Sequence, residues 1–206
     1  MKRRMIYVAA TIGLAAVAMA AWTITARAGY ESAEYEVIES DGNIEIREYP
    51  DLMLAATDSK MDAQGRDGSF MRLFRYISGA NEDGQKIPMT TPVFMEGDVG
   101  ESDVSMGFVM PKEVAAEGVP EPKGDGVKIR KREGGRFAVI RFPGRLDSRV
   151  AEEQEAKLRE WMKSRGLEGE TKAEAAGYDP PFTPGPLRRN EILIRLNDAA
   201  NTDAES

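Results

Sequence analysis

The chemistry open to this chain is narrowed first by two residue types it lacks, for its 206 residues include neither histidine nor cysteine. There is therefore no thiolate nucleophile, no Ser-His-Asp or Cys-His arrangement, and no imidazole for zinc or haem iron. Carboxylates, cationic side chains, hydroxyls and 11 methionines remain. Acidic neighbours such as Glu152-Glu153 have the look of solvated helix turns in an acidic chain, with nothing to mark an acid/base pair. Gly124-Asp125-Gly126 lacks the strand before and helix after that a phosphate-cradling loop requires. Lys128, Arg130 and Arg132 alternate along one run, the expected pattern of a solvated strand face. The net charge of −7 and the want of interleaved aromatics exclude a nucleic-acid surface there.

Two groupings keep a chemical meaning. Met71 and Arg75 stand four apart, so a helix would place an apolar contact beside a cation. Arg188-Arg189 follows Tyr178-Asp179-Pro180-Pro181-Phe182, and two adjacent guanidiniums could hold an anion. Alternatively, one of them pairs with Asp179 or Glu191 and braces a proline-stiffened loop.

The elements that must carry these residues are readable from periodicity. Phe70, Leu73, Phe74 and Ile77 recur at i, i+3, i+4 and i+7, which predicts a core-facing helical stripe ending near Ser78, with Gly79 as the stop. Pro88 and Pro92 flank strand formers from Met89 to Phe94, which predicts an edge or bulged strand. Alternation around Asp41-Gly42-Asn43 predicts a hairpin, and Leu52–Thr57 a third strand. A strand follows from Val104 to Met110, and Lys112–Gly126, with its Pro and Gly, reads as a surface connection.

The second half repeats this order. A strand at Val127–Lys131, another at Phe137–Phe142, a helix at Ser148–Ser164 and strand segments ending at Ile192–Leu196 suggest a duplicated β-β-α-β-β unit. Two such units could close a sheet and remove its edges. From Asn197 the small, polar tail is expected to be disordered.

Lys2, Arg3 and Arg4 precede the uncharged apolar run Met5–Ala26. It is long enough for a membrane-spanning anchor helix, and Ala18-Met19-Ala20 and Ala26-Arg27-Ala28 would also suit cleavage of a signal peptide. Either way the positive cluster keeps the N-terminus cytoplasmic and exports the remainder, soluble or anchored, to a periplasmic, extracytoplasmic side. Without residues 1–28, which hold four basic groups and no acid, the net charge moves from −7 to −11.

The runs FMRLFRYISGANEDGQKIPMTTPV, YEVIESDGNIEIREYP and AGYDPPFTPGPLRRNEI, in that family's order within Tyr35–Leu196, resemble the SOUL haem-binding protein family. The resemblance implies an α+β domain over residues 29–196, a twisted antiparallel β-barrel built from the duplicated unit with two flanking helices. It implies non-covalent, non-catalytic binding of haem or another porphyrin, a small hydrophobic tetrapyrrole, in a surface pocket beside the first helix. Carried over by position, that helix offers Phe70, Met71, Phe74 and Arg75 as ligand contacts. The missing histidine leaves Met or Tyr as the familiar haem ligands, with Met71 and Met89 nearest the pocket. The alternative is an envelope scaffold or interaction protein that keeps the fold without haem.

Overall fold

A computed structural model describes residues 29–59, 68–96, 104–180 and 182–197. The expectations for residues 1–28 and for the tail beyond Asn197 lie outside these residues. Among the described residues, no helix is long and apolar enough to cross a membrane.

A two-residue strand β1 (Glu31–Ser32) precedes the expected hairpin of β2 (Glu36–Asp41) and β3 (Ile44–Tyr49). Gly42 sits in its turn with φ 63°, a left-handed conformation that glycine adopts without strain. Strand β4 (Leu52–Ser59), helix α1 (Ser69–Ile77), β5 (Thr90–Thr91), β6 (Val93–Glu96) and β7 (Val104–Val109) complete the first half. The connection from Lys112 is not wholly irregular: a six-residue helix α2 (Lys112–Glu117) forms at its start, where Pro111 stands at the N-cap and Val114 finds a buried site. Then come β8 (Lys128–Arg132), β9 (Gly135–Phe142), the predicted helix α3 (Ser148–Ser164), β10 (Gly169–Gly177) and β11 (Asn190–Leu196).

Nine strands form one antiparallel sheet in the order β2-β3-β9-β11-β10-β6-β7-β4-β8, while β1 pairs in parallel with β5. From β3 to β8 this order is unchanged when β3 is exchanged for β8, β4 for β9, β6 for β10 and β7 for β11. The β6–β10 ladder is the seam, and each half lends its first strand to the other, β3 to β9 and β8 to β4. Strand β6 therefore lies inside the sheet, not at an edge. Both prolines fall outside the ladder: Pro88 precedes β5, and Pro92 follows a cis peptide in the break between β5 and β6.

The barrel expected from the duplication does not close. The short Glu133-Gly134 turn does bring β8, at one edge, to β9 near the other edge, so the sheet is strongly curled. Gly134 donates to the Asp51 carboxylate at 2.8 Å, and a Cβ there would lie 2.4 Å from the Tyr49 carbonyl oxygen, so only glycine permits this approach. A side chain, not a ladder, spans the remaining gap. The Arg132 guanidinium from β8 stacks over the rings of Tyr49, Phe94 and Phe137 at 5.2, 4.5 and 4.5 Å. Backbones held apart by such a sandwich cannot reach the ~4.8 Å spacing of hydrogen-bonded strands.

That contact also corrects the reading of β8 as a solvated face. Lys128 is exposed, but Arg132 is buried and bonded to Glu174 at 2.6 Å, and Arg130 pairs with Glu96. One face of the sheet packs Ile46, Met106, Ala138 and Ile194 against Leu73 of α1 and Leu158 of α3. The other, inside the curl, buries Tyr49, Leu54, Phe94, Phe137 and Leu193.

Candidate functional site

Helix α1 has two faces with different work. Leu73 and Ile77 are buried as the periodicity predicted, joined by Ser69 and by Tyr76, whose hydroxyl donates to the Pro120 carbonyl at 2.7 Å. Phe70 is half-buried and Phe74 exposed, so the stripe is rotated away from them. Four residues apart, their rings stack with centroids 6.1 Å apart and 12° between planes, and Phe70 meets Phe108 edge-on at 5.2 Å.

These two rings form one wall of a groove of about 380 Å³. Met89, Thr91 and Val93 form its floor around the cis Pro92, and Leu146 adds to the lining. The opposite wall is the loop after β10, with Tyr178, Pro180, Phe182 and Arg188. Tyr30 reaches it because β1 is stitched to β5, Glu31 opposite Thr90 and Ser32 opposite Thr91, with the Ala33 amide donating to the Thr91 carbonyl at 2.8 Å.

Of the four contacts expected on α1, the structure brings Phe70 and Phe74 into the groove. Met71 and Arg75 lie outside its lining: Met71 points to solvent, and the Arg75 guanidinium donates back to the Met71 carbonyl at 3.2 Å. Of the methionines named as candidate iron ligands, Met89 is in the lining and Met71 is not. Of the Arg188-Arg189 pair offered by the sequence as an anion site, Arg188 lines the groove and Arg189 pairs with Glu191 behind it; the loop's aromatics Tyr178 and Phe182 were not assigned to a site, though they flank its prolines. Tyr30 and Leu146 carried no signal.

Behind the loop wall lies a buried ionic network. Glu191, fully buried, receives Arg47 in bidentate fashion at 2.8 and 3.0 Å, Arg189 at 2.6 Å and the Tyr178 hydroxyl at 2.8 Å. Arg47 also donates to Glu45 and Tyr49 and stacks over the Tyr35 ring at 4.1 Å, while Arg189 stacks over Tyr178 at 4.0 Å. Burial pushes the Glu191 carboxyl up, but the hydrogen bonds and charges of Arg47 and Arg189 outweigh it and hold it below the ordinary carboxylate range. Burial, with the Glu191 charge beside it, pushes the Tyr178 phenol well above its ordinary value. Burial likewise raises Tyr49 to about 12. The network thus fixes Tyr178 as a neutral hydrogen-bond donor whose ring is left to the groove. Asp179 anchors the same loop by accepting from the Arg189 amide at 2.6 Å.

Among the described residues, no group of three or more acidic side chains is placed to hold a metal ion. The site is an apolar slot with aromatic walls, two thioethers from Met89 and Met95, and two charged side chains, Arg188 and Asp179, in its lining. It suits a flat hydrophobic ligand.

The family model described as SOUL heme-binding protein matches residues 30–195. The chain belongs to the SOUL heme-binding protein family. This SOUL chain is 28% identical over 144 residues to Heme-binding protein 1 of Bos taurus, covering 67% of the chain and 73% of that protein. It is 27% identical over 181 residues to Heme-binding protein 1 of Xenopus tropicalis, covering 82% and 94%. Solved structures share the SOUL chain's fold at low identity. The EcmrR C-terminal domain matches at 12% identity with a TM-score of 0.52, covering 79% of the chain and 98% of that domain. A protein from Listeria innocua described as a hydrolase matches at 17% with a TM-score of 0.53, covering 78% and 94%. At those identities they speak to the fold alone.

Proposed function

We propose that this chain binds haem or a related tetrapyrrole non-covalently, without catalysing a reaction, in the groove between α1 and the Tyr178–Arg188 loop. The observation that carries the reading is an apolar slot of about 380 Å³ walled by the stacked Phe70–Phe74 pair and by Tyr178 and Phe182. Sites for flat organic ligands are of this kind and size, mostly apolar with few polar groups. Phe70 and Phe74 would take one face of the macrocycle, and Arg188, within the lining, would meet a carboxylate at its edge.

The donor set fits haem in a restricted way. Without histidine, the groove offers the Met89 and Met95 thioethers and, at its rim, the Tyr30 hydroxyl, and methionine and tyrosine are both known axial haem ligands. Tyr178 is a poor candidate, because its hydroxyl is committed to Glu191 and its phenolate is strongly disfavoured. Bound haem would supply redox or gas-binding chemistry; the chain's own groups supply apolar enclosure and orientation. The chain is read as exported and held at, or released from, the membrane according to whether the run Met5–Ala26 is retained.

Titration of the protein with hemin tests this. The expected result is a saturable Soret shift with a one-to-one endpoint, weakened at least tenfold by Phe74→Asp, with circular dichroism unchanged. Metal-free protoporphyrin should bind too, since the walls do not depend on iron. Flat titrations of a folded protein with both ligands would overturn the proposal in favour of a scaffold that keeps the fold without tetrapyrrole.

A further inference from the structure

Among the described residues, most of the large apolar side chains left open to water gather in one region. Tyr30, Phe74 and Phe182 are 41%, 43% and 69% exposed and all line one groove. Met71, 48% exposed, lies three residues before Phe74 on the same side of α1. Among the described residues, Val37 and Ile38 on β2 are the other exposed members of this class. A rim of three aromatics and a methionine around an apolar slot marks a surface built to meet something hydrophobic.

The chain's own connectivity says what lies in front of it. The apolar run ends at Ala26, and Tyr30 is four residues on. Four residues reach at most about 14 Å when fully extended. Tyr30 is not free to swing away, because β1 directly after it is paired in register to β5, and Thr91 of β5 is itself groove lining. If Met5–Ala26 crosses a bilayer, the groove mouth is therefore tethered within about 14 Å of the hydrocarbon boundary.

We propose that the groove opens against the lipid bilayer, with Phe182, Phe74, Met71 and Tyr30 seated in its interfacial layer, and that its ligand passes between membrane and groove without crossing water. Aromatic side chains favour this layer, where one side is apolar and the other wet. Arg75 beside Met71 can extend to headgroup phosphates. The contact with the bilayer stands on the rim and the tether; only the nature of the ligand rests on the tetrapyrrole reading.

The absence of cysteine makes a direct test possible, since any introduced thiol is unique. The full chain carrying Phe182→Cys is labelled with an environment-sensitive fluorophore and reconstituted in phosphatidylcholine vesicles; Glu153→Cys, on exposed α3, is the control. The label at 182 should emit to the blue and be quenched by lipid spin-labelled near the headgroup, and the label at 153 should do neither. Met71→Cys should repeat the result at 182 and covers any distortion of the loop. Aqueous emission at both 71 and 182, or a chain that fails to float with the vesicles, overturns the proposal. Hemin absorbance of the unlabelled chain with its groove intact, in vesicles of the same composition, separates the two readings. Buried labels with no Soret change uphold the bilayer contact and remove the tetrapyrrole, and aqueous labels with a Soret change do the reverse.

Discussion

The two halves of the sheet are exchangeable in strand order, yet the helices that follow β4 and β9 have been put to opposite uses. Helix α3 is 17 residues long, begins with the Asp147 carboxylate accepting from the Val150 amide at 3.0 Å, and is laced by the pairs Arg149–Glu153 and Arg159–Glu155. Its large aromatic, Trp161, is covered: Arg165 stacks over it at 4.5 Å and its indole donates to Asp41 at 2.9 Å. Helix α1 has nine residues and a glycine at its N-cap with no side-chain bond. Phe74 has no such cover. One helix invests in its own stability and the other in an open aromatic surface, which is how a duplicated frame acquires a single site.

The same asymmetry runs through the borrowed first strands. Each carries a buried arginine, Arg47 on β3 and Arg132 on β8, and each faces a glutamate across the curl, the fully buried Glu191 or the partly buried Glu174. Around Glu191 every partner is satisfied. Around Glu174, Arg132 Nη1 and Glu96 Oε1 are buried without a hydrogen-bond partner. Removing Glu191 should therefore give the largest effect on stability: Glu191→Ala leaves two cations buried against each other and costs about 3–5 kcal/mol. Glu174→Ala should cost less, because Arg132 keeps three aromatic rings and Glu96 at 4.0 Å. Urea unfolding of the two variants checks the ranking, and equal losses would erase the distinction between the halves.

The two carboxyls also titrate in opposite senses. The depressed Glu191 contributes stability that is present above the ordinary glutamate range, near pH 4.3, and is lost as pH falls through its lower folded-state value. Glu174 is raised, chiefly by burial against the opposing pull of Arg132, so its contribution is present below that range and fades as pH rises through the raised value. In unfolding midpoints followed from acid to neutral pH, Glu191→Gln should flatten the acid limb of the profile. Glu174→Gln should preserve that limb and raise the neutral plateau relative to wild type.

How much of this was legible beforehand follows the same division. The helix near Ser148–Ser164 was legible because helix propensity and the strand breakers around it are local signals, and the hairpin around Gly42 because its turn chemistry is local too. The seam strand GETKAEAAG was hardly legible: Ala, Glu and Lys favour helix, and only its place between β11 and β6 makes it a strand. Periodicity put Phe70 and Phe74 in the core stripe of α1, whereas the buried stripe turns toward Ser69 and Tyr76 and leaves the two rings to the groove; apolar spacing alone does not tell a core from a groove, since both reward apolar surface. Arg47, Arg132 and Glu191 look like solvated charges in sequence. Their burial is decided by partners up to 144 residues away, and no local pattern records that.

The smaller predictions set the helices against each other. Phe74→Ala removes half of the stacked pair from an already exposed position, so stability should hardly move. Hemin binding should weaken about tenfold, the worth of roughly 1.4 kcal/mol of aromatic contact. Asp147→Ala should do the converse: loss of the cap on Val150 costs about 1 kcal/mol of folding stability, while hemin affinity stays unchanged because α3 contributes no groove residue. The double variant is the decisive measurement. The two residues lie on helices of different halves and share no partner, so both effects should add. A loss of hemin affinity in Asp147→Ala alone would mean that the capped helix, too, supports the groove, and that the division of labour between the halves is wrong.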